Sequence, residues 1–134
     1  MPAKYKVIEK VNPSNLTAPR KFYPSLKTDG RATMRTLAME AADRSSMSEA
    51  DTYASMANMW YVIPKNLAEG KVVDLDPFGV FKLSITTEGA DTPEAVTSRN
   101  IKKVSVRFTP GPAFMEILSR VQFEKVSTEK TINA

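Results

Sequence analysis

The sequence predicts an α+β fold: two N-terminal helices, a three-stranded antiparallel sheet drawn out into a long hairpin, a C-terminal helix, and extra strands at both ends. Three observations predict it. Apolar residues recur at helical spacing from Met34 to Leu67. Period-two alternation then takes over in Lys71–Leu75, Phe81–Ile85 and Lys103–Phe108. Last, Phe108-Thr-Pro-Gly111 breaks the final strand of that group just ahead of Pro112, a residue suited to the first turn of a helix.

In chain order, Lys4 to Glu9 alternates and reads as a strand. A loop rich in Asn, Pro, Ser and Thr follows, and Lys21–Leu26 reads as a short strand whose Pro24 points to a sheet edge. Thr28-Asp-Gly30 is a turn. Thr33 is placed to cap a first helix with Met34, Leu37, Ala38 and Ala41 on one stripe. Ser48 with Asp51 resembles a capping box for a second helix. That helix aligns Tyr53, Met56, Ala57, Trp60, Ile63 and Leu67, and Gly70 stops it. Pro64 lies inside the pattern and predicts a kink or a restart. Trp60, Met34, Met39, Met56 and Met59 read as packing groups.

Pro77-Phe-Gly-Val-Phe81 turns the strand Lys71–Leu75 into the next one. In that strand Phe81, Leu83 and Ile85 share a face, and Lys82 and Ser84 take the other. In Lys103–Phe108, Val104, Val106 and Phe108 point inward while Lys103, Ser105 and Arg107 point outward. The ribbon therefore has one apolar and one cationic face. The last helix carries Phe114, Ile117, Leu118 and Val121 on its apolar side. Gln122–Val126 reads as one more strand, and Ser127–Ala134 as a frayed polar end. The short terminal strands cannot stand alone, so they should pair with each other or with Lys21–Leu26. The organisation expected is residues 1–30 as a β extension, 31–121 as the main domain, and 122–134 as a strand and tail.

Composition excludes several functions. The 134 residues suffice for one domain with a real core, and 42% hydrophobic and 25% charged residues are ordinary for a globular chain. With no Cys there is no disulfide, thiolate or sulfur-ligated metal, and with no His the usual neutral-pH base and metal ligand are missing. Glu40 with Asp43, and Glu49 with Asp51, have the spacing of solvated helix carboxylates. No phosphate-loop motif is present. The expectation is a non-enzyme without cofactor, metal or small-molecule substrate. The beginning of the chain lacks an apolar signal stretch and no run is long enough to span a membrane, which points to the cytoplasm. A net charge of +4 and a pI near 9.4 lean toward a polyanionic partner.

Two capped helices, a strand, Phe-Gly-x-Phe, a long hairpin, Phe-x-Pro-Gly and a terminal helix occur here in the order found in the HU/IHF family of bacterial DNA-binding proteins. From about Thr33 to Val121 the chain resembles that family. With Lys4-Tyr-Lys-Val-Ile-Glu9 and Phe123-Glu-Lys-Val126 included, it is similar to the longer HU-like branch, the HU-HIG type. The resemblance implies an intertwined homodimer in the nucleoid, with β-arms that embrace the DNA minor groove and bend duplex DNA with little sequence preference. Here the arm would run from Lys82 to Arg107, with Phe78, Phe81 and Phe108 in the core beneath it.

The implied DNA contacts are Lys82, Arg99, Lys102, Lys103 and Arg107, with Pro93 near the arm tip. Typical HU arms carry an Arg-Asn-Pro tip; here Arg99-Asn100 is followed by Ile101, and Asp91 and Glu94 flank Pro93. Pro93 is either a turn former or a wedge between base pairs. Five cations face three anions along the arm, a net of about +2, which supports only weak phosphate neutralisation. Lys82, Lys103 and Arg107 either contact DNA or simply solvate a sheet face. Lys4, Lys6, Lys10, Arg20 and Lys21 either extend a basic surface or guard a sheet edge. The rival expectation is a protein-interaction module on the same fold, which the acidic tip favours.

Overall fold

The structure is a computed structural model that describes the backbone over residues 2–132 and the side chains over residues 2–126. The chain divides into two compact units. One comprises Met1–Arg31 with Leu118–Ala134, and the other Ala32–Ile117.

The first unit is a three-stranded sheet. Strand β1 (Ala3–Lys10) lies at its centre, antiparallel to β2 (Lys21–Lys27) and parallel to the final strand β6 (Phe123–Ile132). The terminal segments thus pair both ways that the sequence leaves open. The expected frayed end is corrected, because β6 runs on to Ile132, opposite Lys10. Residues 127–131 have no apolar alternation to betray a strand. Their pairing uses backbone groups, which every residue carries. Residues 133–134, also part of the expected tail, lie outside the described residues.

The second unit holds α1 (Met34–Asp43), α2 (Glu49–Ala68), strands β3 (Val73–Asp74), β4 (Gly79–Thr87) and β5 (Ile101–Pro110), and α3 (Pro112–Leu118). The strands form an antiparallel sheet in the order β3-β4-β5. Both helix caps form. Thr33 accepts from the amide of Thr36, and Ser48 from that of Asp51 at 3.1 Å. At the far end of α2, Gly70 adopts φ +82°. Its amide bonds to Leu67, and that of Lys71 to Asn66, a complete Schellman motif.

Pro64 does not break α2, which is one helix from Glu49 to Ala68. A proline in a helix interior costs about 3 kcal/mol. Ile63 and Leu67, on either side of it, are two of the few buried residues, and α2 packs on β3 and β4. Burying two such side chains returns about 1.5–3 kcal/mol each. Strand β3 is shorter than the expected Lys71–Leu75, and α3 ends before Val121.

The core of the single chain is small. Only Ile8, Ala38, Ile63 and Leu67 are buried among its described hydrophobic residues, joined by Thr52. Thr52 hides its hydroxyl by donating to the carbonyl of Ser48 at 2.8 Å. The expectation that Trp60 and the methionines are core groups holds only in part. Met34 and Met56 are half-buried, while Trp60, Met39 and Met59 are exposed. Helix α2 is apolar on more sides than one chain covers.

Candidate nucleic-acid interface

The cationic ribbon is the hairpin β4–β5, and its register sets what each face presents. Phe81 lies opposite Phe108, Leu83 opposite Val106, and Ile85 opposite Val104. On the other face Lys82 lies opposite Arg107, Ser84 opposite Ser105, and Thr86 opposite Lys103. Side chains directly across an antiparallel pair start about 5 Å apart, where like charges repel. Lys82 and Arg107 sit there with no carboxylate partner among the described residues, and Lys103 adds a third exposed cation.

The remaining predicted residues lie elsewhere. A register shift between Thr86 and Thr87 leaves Lys102 as the extra residue of a bulge, since Thr86 faces Lys103 and Thr87 faces Ile101. Its Nζ is 2.9 Å from Glu88. Arg99 is exposed in a 3-10 turn, Ser98–Asn100. Pro93 opens another, Pro93–Ala95, capped by Thr92. The structure brings Lys82, Lys103 and Arg107 onto one face and does not bring Arg99, Lys102 or Pro93 there.

Asn100 builds the distal end. Its carbonyl accepts from the Glu88 amide at 2.8 Å, and its side chain donates to the Glu88 carbonyl at 2.9 Å. Its Oδ1 accepts from the Thr97 amide at 2.9 Å. Sequence reasoning passed over Asn100 and Thr97; the signal available was their capping-box spacing. With Glu88, Asp91 and Glu94 the loop presents an acidic, internally bonded tip.

An aromatic row supports the base of the hairpin. Trp60 meets Phe81 edge-on at 6.1 Å, Phe81 lies 4.8 Å from Phe108, and Phe108 lies 5.6 Å from Phe114. Of the phenylalanines expected in the core, Phe81 is half-buried, whereas Phe78 and Phe108 are exposed. Two glycines admit this packing. A Cβ on Gly79 would strike the Phe108 ring, and one on Gly111 would strike the backbone of Pro77. Gly111 donates to Phe78 at 2.8 Å and Ala113 to Pro77 at 3.0 Å, so the break before α3 is bonded to the turn before β4.

Among the described residues, no helix is long and apolar enough to cross a membrane, and no group of acidic residues is placed to hold a metal.

No curated protein matches the chain. A crystal structure from Bacteroides vulgatus ATCC 8482, described as that of a candidate bacterial DNA-binding protein, is similar over 95% of this chain. The TM-score is 0.66 at 12% identity. The match covers 49% of that structure's chain, so this chain spans about half its length. Residues 1–125 match the family described as an HU domain fused to a wHTH, Ig or glycine-rich motif. The chain belongs to this HU-HIG family.

Proposed function

We propose that this protein binds duplex DNA through its backbone, with little sequence preference and without catalysis, as an architectural protein of the bacterial nucleoid. The observation that carries this reading is the placement of Lys82 opposite Arg107 beside Lys103. Opposed like charges cost a strand pair up to about 1 kcal/mol, and a row of phosphates turns that cost into attraction. Capture is electrostatic, and any preference among sequences comes from how readily the groove deforms. The family membership and the name borne by the structural neighbour support the same partner. Because Lys102 is tied to Glu88, the working surface is Lys82, Lys103 and Arg107, with Arg99 nearer the tip.

The test is binding to a random-sequence duplex across a salt series. Replacing Lys82, Lys103 and Arg107 together by Gln should lower the salt slope by about 0.9 for each phosphate left without its cation, equally for all sequences. Lys102→Gln should change it less. Pro93→Ala should leave capture intact, because a wedge and a backbone contact are separate contributions. Wild-type affinity and slope in the triple variant would sink the reading. The acidic loop from Glu88 to Glu94 would then be the surface to examine for a protein partner.

A further inference from the structure

A second one-sided run of charge lies outside the β4–β5 hairpin. From Lys10 to Thr28 the sequence contains Lys10, Arg20, Lys21 and Lys27 and no Asp or Glu. The whole chain has 19 basic and 15 acidic residues, and this segment matches the uninterrupted +4 of residues 95–115, which hold Arg99, Lys102, Lys103 and Arg107. The segment is the end of β1, the connecting loop and β2, all within the first unit.

Its geometry concentrates the charge. Lys10 lies directly opposite Lys21, and Lys4 directly opposite Lys27, with all four on one sheet face. Lys4 is neutralised by Asp29 at 3.2 Å, and Arg20 is paired with Glu9 at 3.6 Å. Lys10, Lys21 and Lys27 have no carboxylate partner among the described residues, and all three are exposed. Lys10 lies over the Tyr23 ring, 5.4 Å from its centroid. Lys10, Lys21 and Tyr23 line a cleft of about 430 Å³ with Asn12 and Pro19. The loop that walls it is held by its own side chains: Asn12 accepts from the Ser14 amide at 2.9 Å, and Asn15 from the Thr17 hydroxyl at 2.7 Å.

Guarding a sheet edge does not explain Lys10 or the cleft it lines with Lys21 and Tyr23. Protective lysines belong on edge strands; Lys21 and Lys27 lie on the edge strand β2, but Lys10 lies on the central strand β1. Of the two like-charge pairs, Lys4–Lys27 already has Asp29 on Lys4, while Lys10–Lys21 is a cost that no carboxylate among the described residues offsets. Lys21 and Lys27 are six residues apart, about 20 Å along β2. That is the rise of about six base pairs.

We infer that the β1–β2 hairpin carries a second contact for duplex DNA, made to phosphates by Lys10 and Lys21 at the cleft and by Lys27 farther along β2. The inference rests on the proposed DNA partner but not on the β4–β5 hairpin being its contact.

The full chain with Lys10, Lys21 and Lys27 all changed to Gln is compared with wild type, with the matching Arg triple, and with the Lys82/Lys103/Arg107 triple. Each is titrated against a random duplex across a salt series. The Gln triple should show a salt slope smaller by about 0.9 per phosphate, up to about 2.7 in all, and the Arg triple should keep the wild-type slope. Wild-type slope and affinity in the Gln triple, beside an impaired β4–β5 triple, would overturn the inference. So would equal impairment of the Gln and Arg triples, which marks a structural effect. Weakened binding only to phosphatidylserine vesicles would also overturn it, by assigning the face to lipid. An impaired Gln triple beside an unimpaired β4–β5 triple upholds it and removes the β4–β5 contact instead.

Discussion

Single residues decide how the base of the β4–β5 hairpin is built, and glycine decides most sharply. Gly79 and Gly111 stand where no side chain fits, whereas a Cβ on Gly89 would meet nothing within 4 Å. Gly79→Ala and Gly111→Ala should each destabilise the protein by about 1–3 kcal/mol, the usual cost of forcing extra volume into packed structure. Gly89→Ala should be neutral or slightly stabilising, because its main effect is on the unfolded chain. Urea denaturation midpoints at unchanged slope would read the difference; equal midpoints in all three variants would contradict the packing account. At this scale the site was partly legible. Alternation alone placed Lys82, Lys103 and Arg107 on one side of a ribbon. It could not place Lys102, because one unpaired residue in a bulge shifts the phase of everything beyond it, and nothing in Lys102-Lys103 marks which lysine is the extra one.

At the scale of elements, caps and periods served well wherever an apolar pattern met a local stop signal. Thr33, Ser48, Gly70 and Pro112 all mark helix ends. The failures share a cause, which is long-range packing or pairing overriding the local signal. Helix α2 passes through Pro64 because Ile63 and Leu67 are buried around it. Strand β6 runs on past Val126 through the polar residues 127–131 because β1 offers a ladder. Removing residues from Gln122 onward should therefore speed amide exchange in Ala3–Lys10, since a two-stranded remnant is only marginally stable. Protection in β4 and β5 should stay as it was. Unchanged exchange in β1 would show that β6 contributes nothing to its stability.

For the whole molecule, the pressing fact is unsatisfied apolar surface. Met59, Trp60, Tyr61 and Val62 are all exposed along α2, and so are Leu83, Ile85, Val104 and Val106 on the hairpin's apolar face. Contiguous exposure of this kind marks an association surface. The assembly we propose is a homodimer, expected in sedimentation at tens of micromolar (roughly the range where weak dimers dissociate). Tyr61 is 71% exposed in one chain. Tyr61→Glu should thus leave a lone chain within about 0.5 kcal/mol of its stability, yet shift a dimer toward monomer. Monomer alone in the wild type at that concentration would end this proposal. Periodicity marked part of this surface, Trp60 on the α2 stripe and Leu83, Ile85, Val104 and Val106 on the apolar face of the ribbon, but it identifies an apolar face and not what covers it.

The parallel pairing of β1 with β6 also sets an order of events during synthesis. A ribosome delivers β1 and β2 first, then all of the second unit, and β6 last. The central strand of the first sheet therefore waits, with one backbone edge open, while more than a hundred residues emerge. The second unit is contiguous and can close as soon as Ile117 is free. The nascent chain thus passes through a stage in which the α-helical unit is complete and β1 still presents an unpaired ladder, the kind of edge that invites mispairing between neighbouring chains.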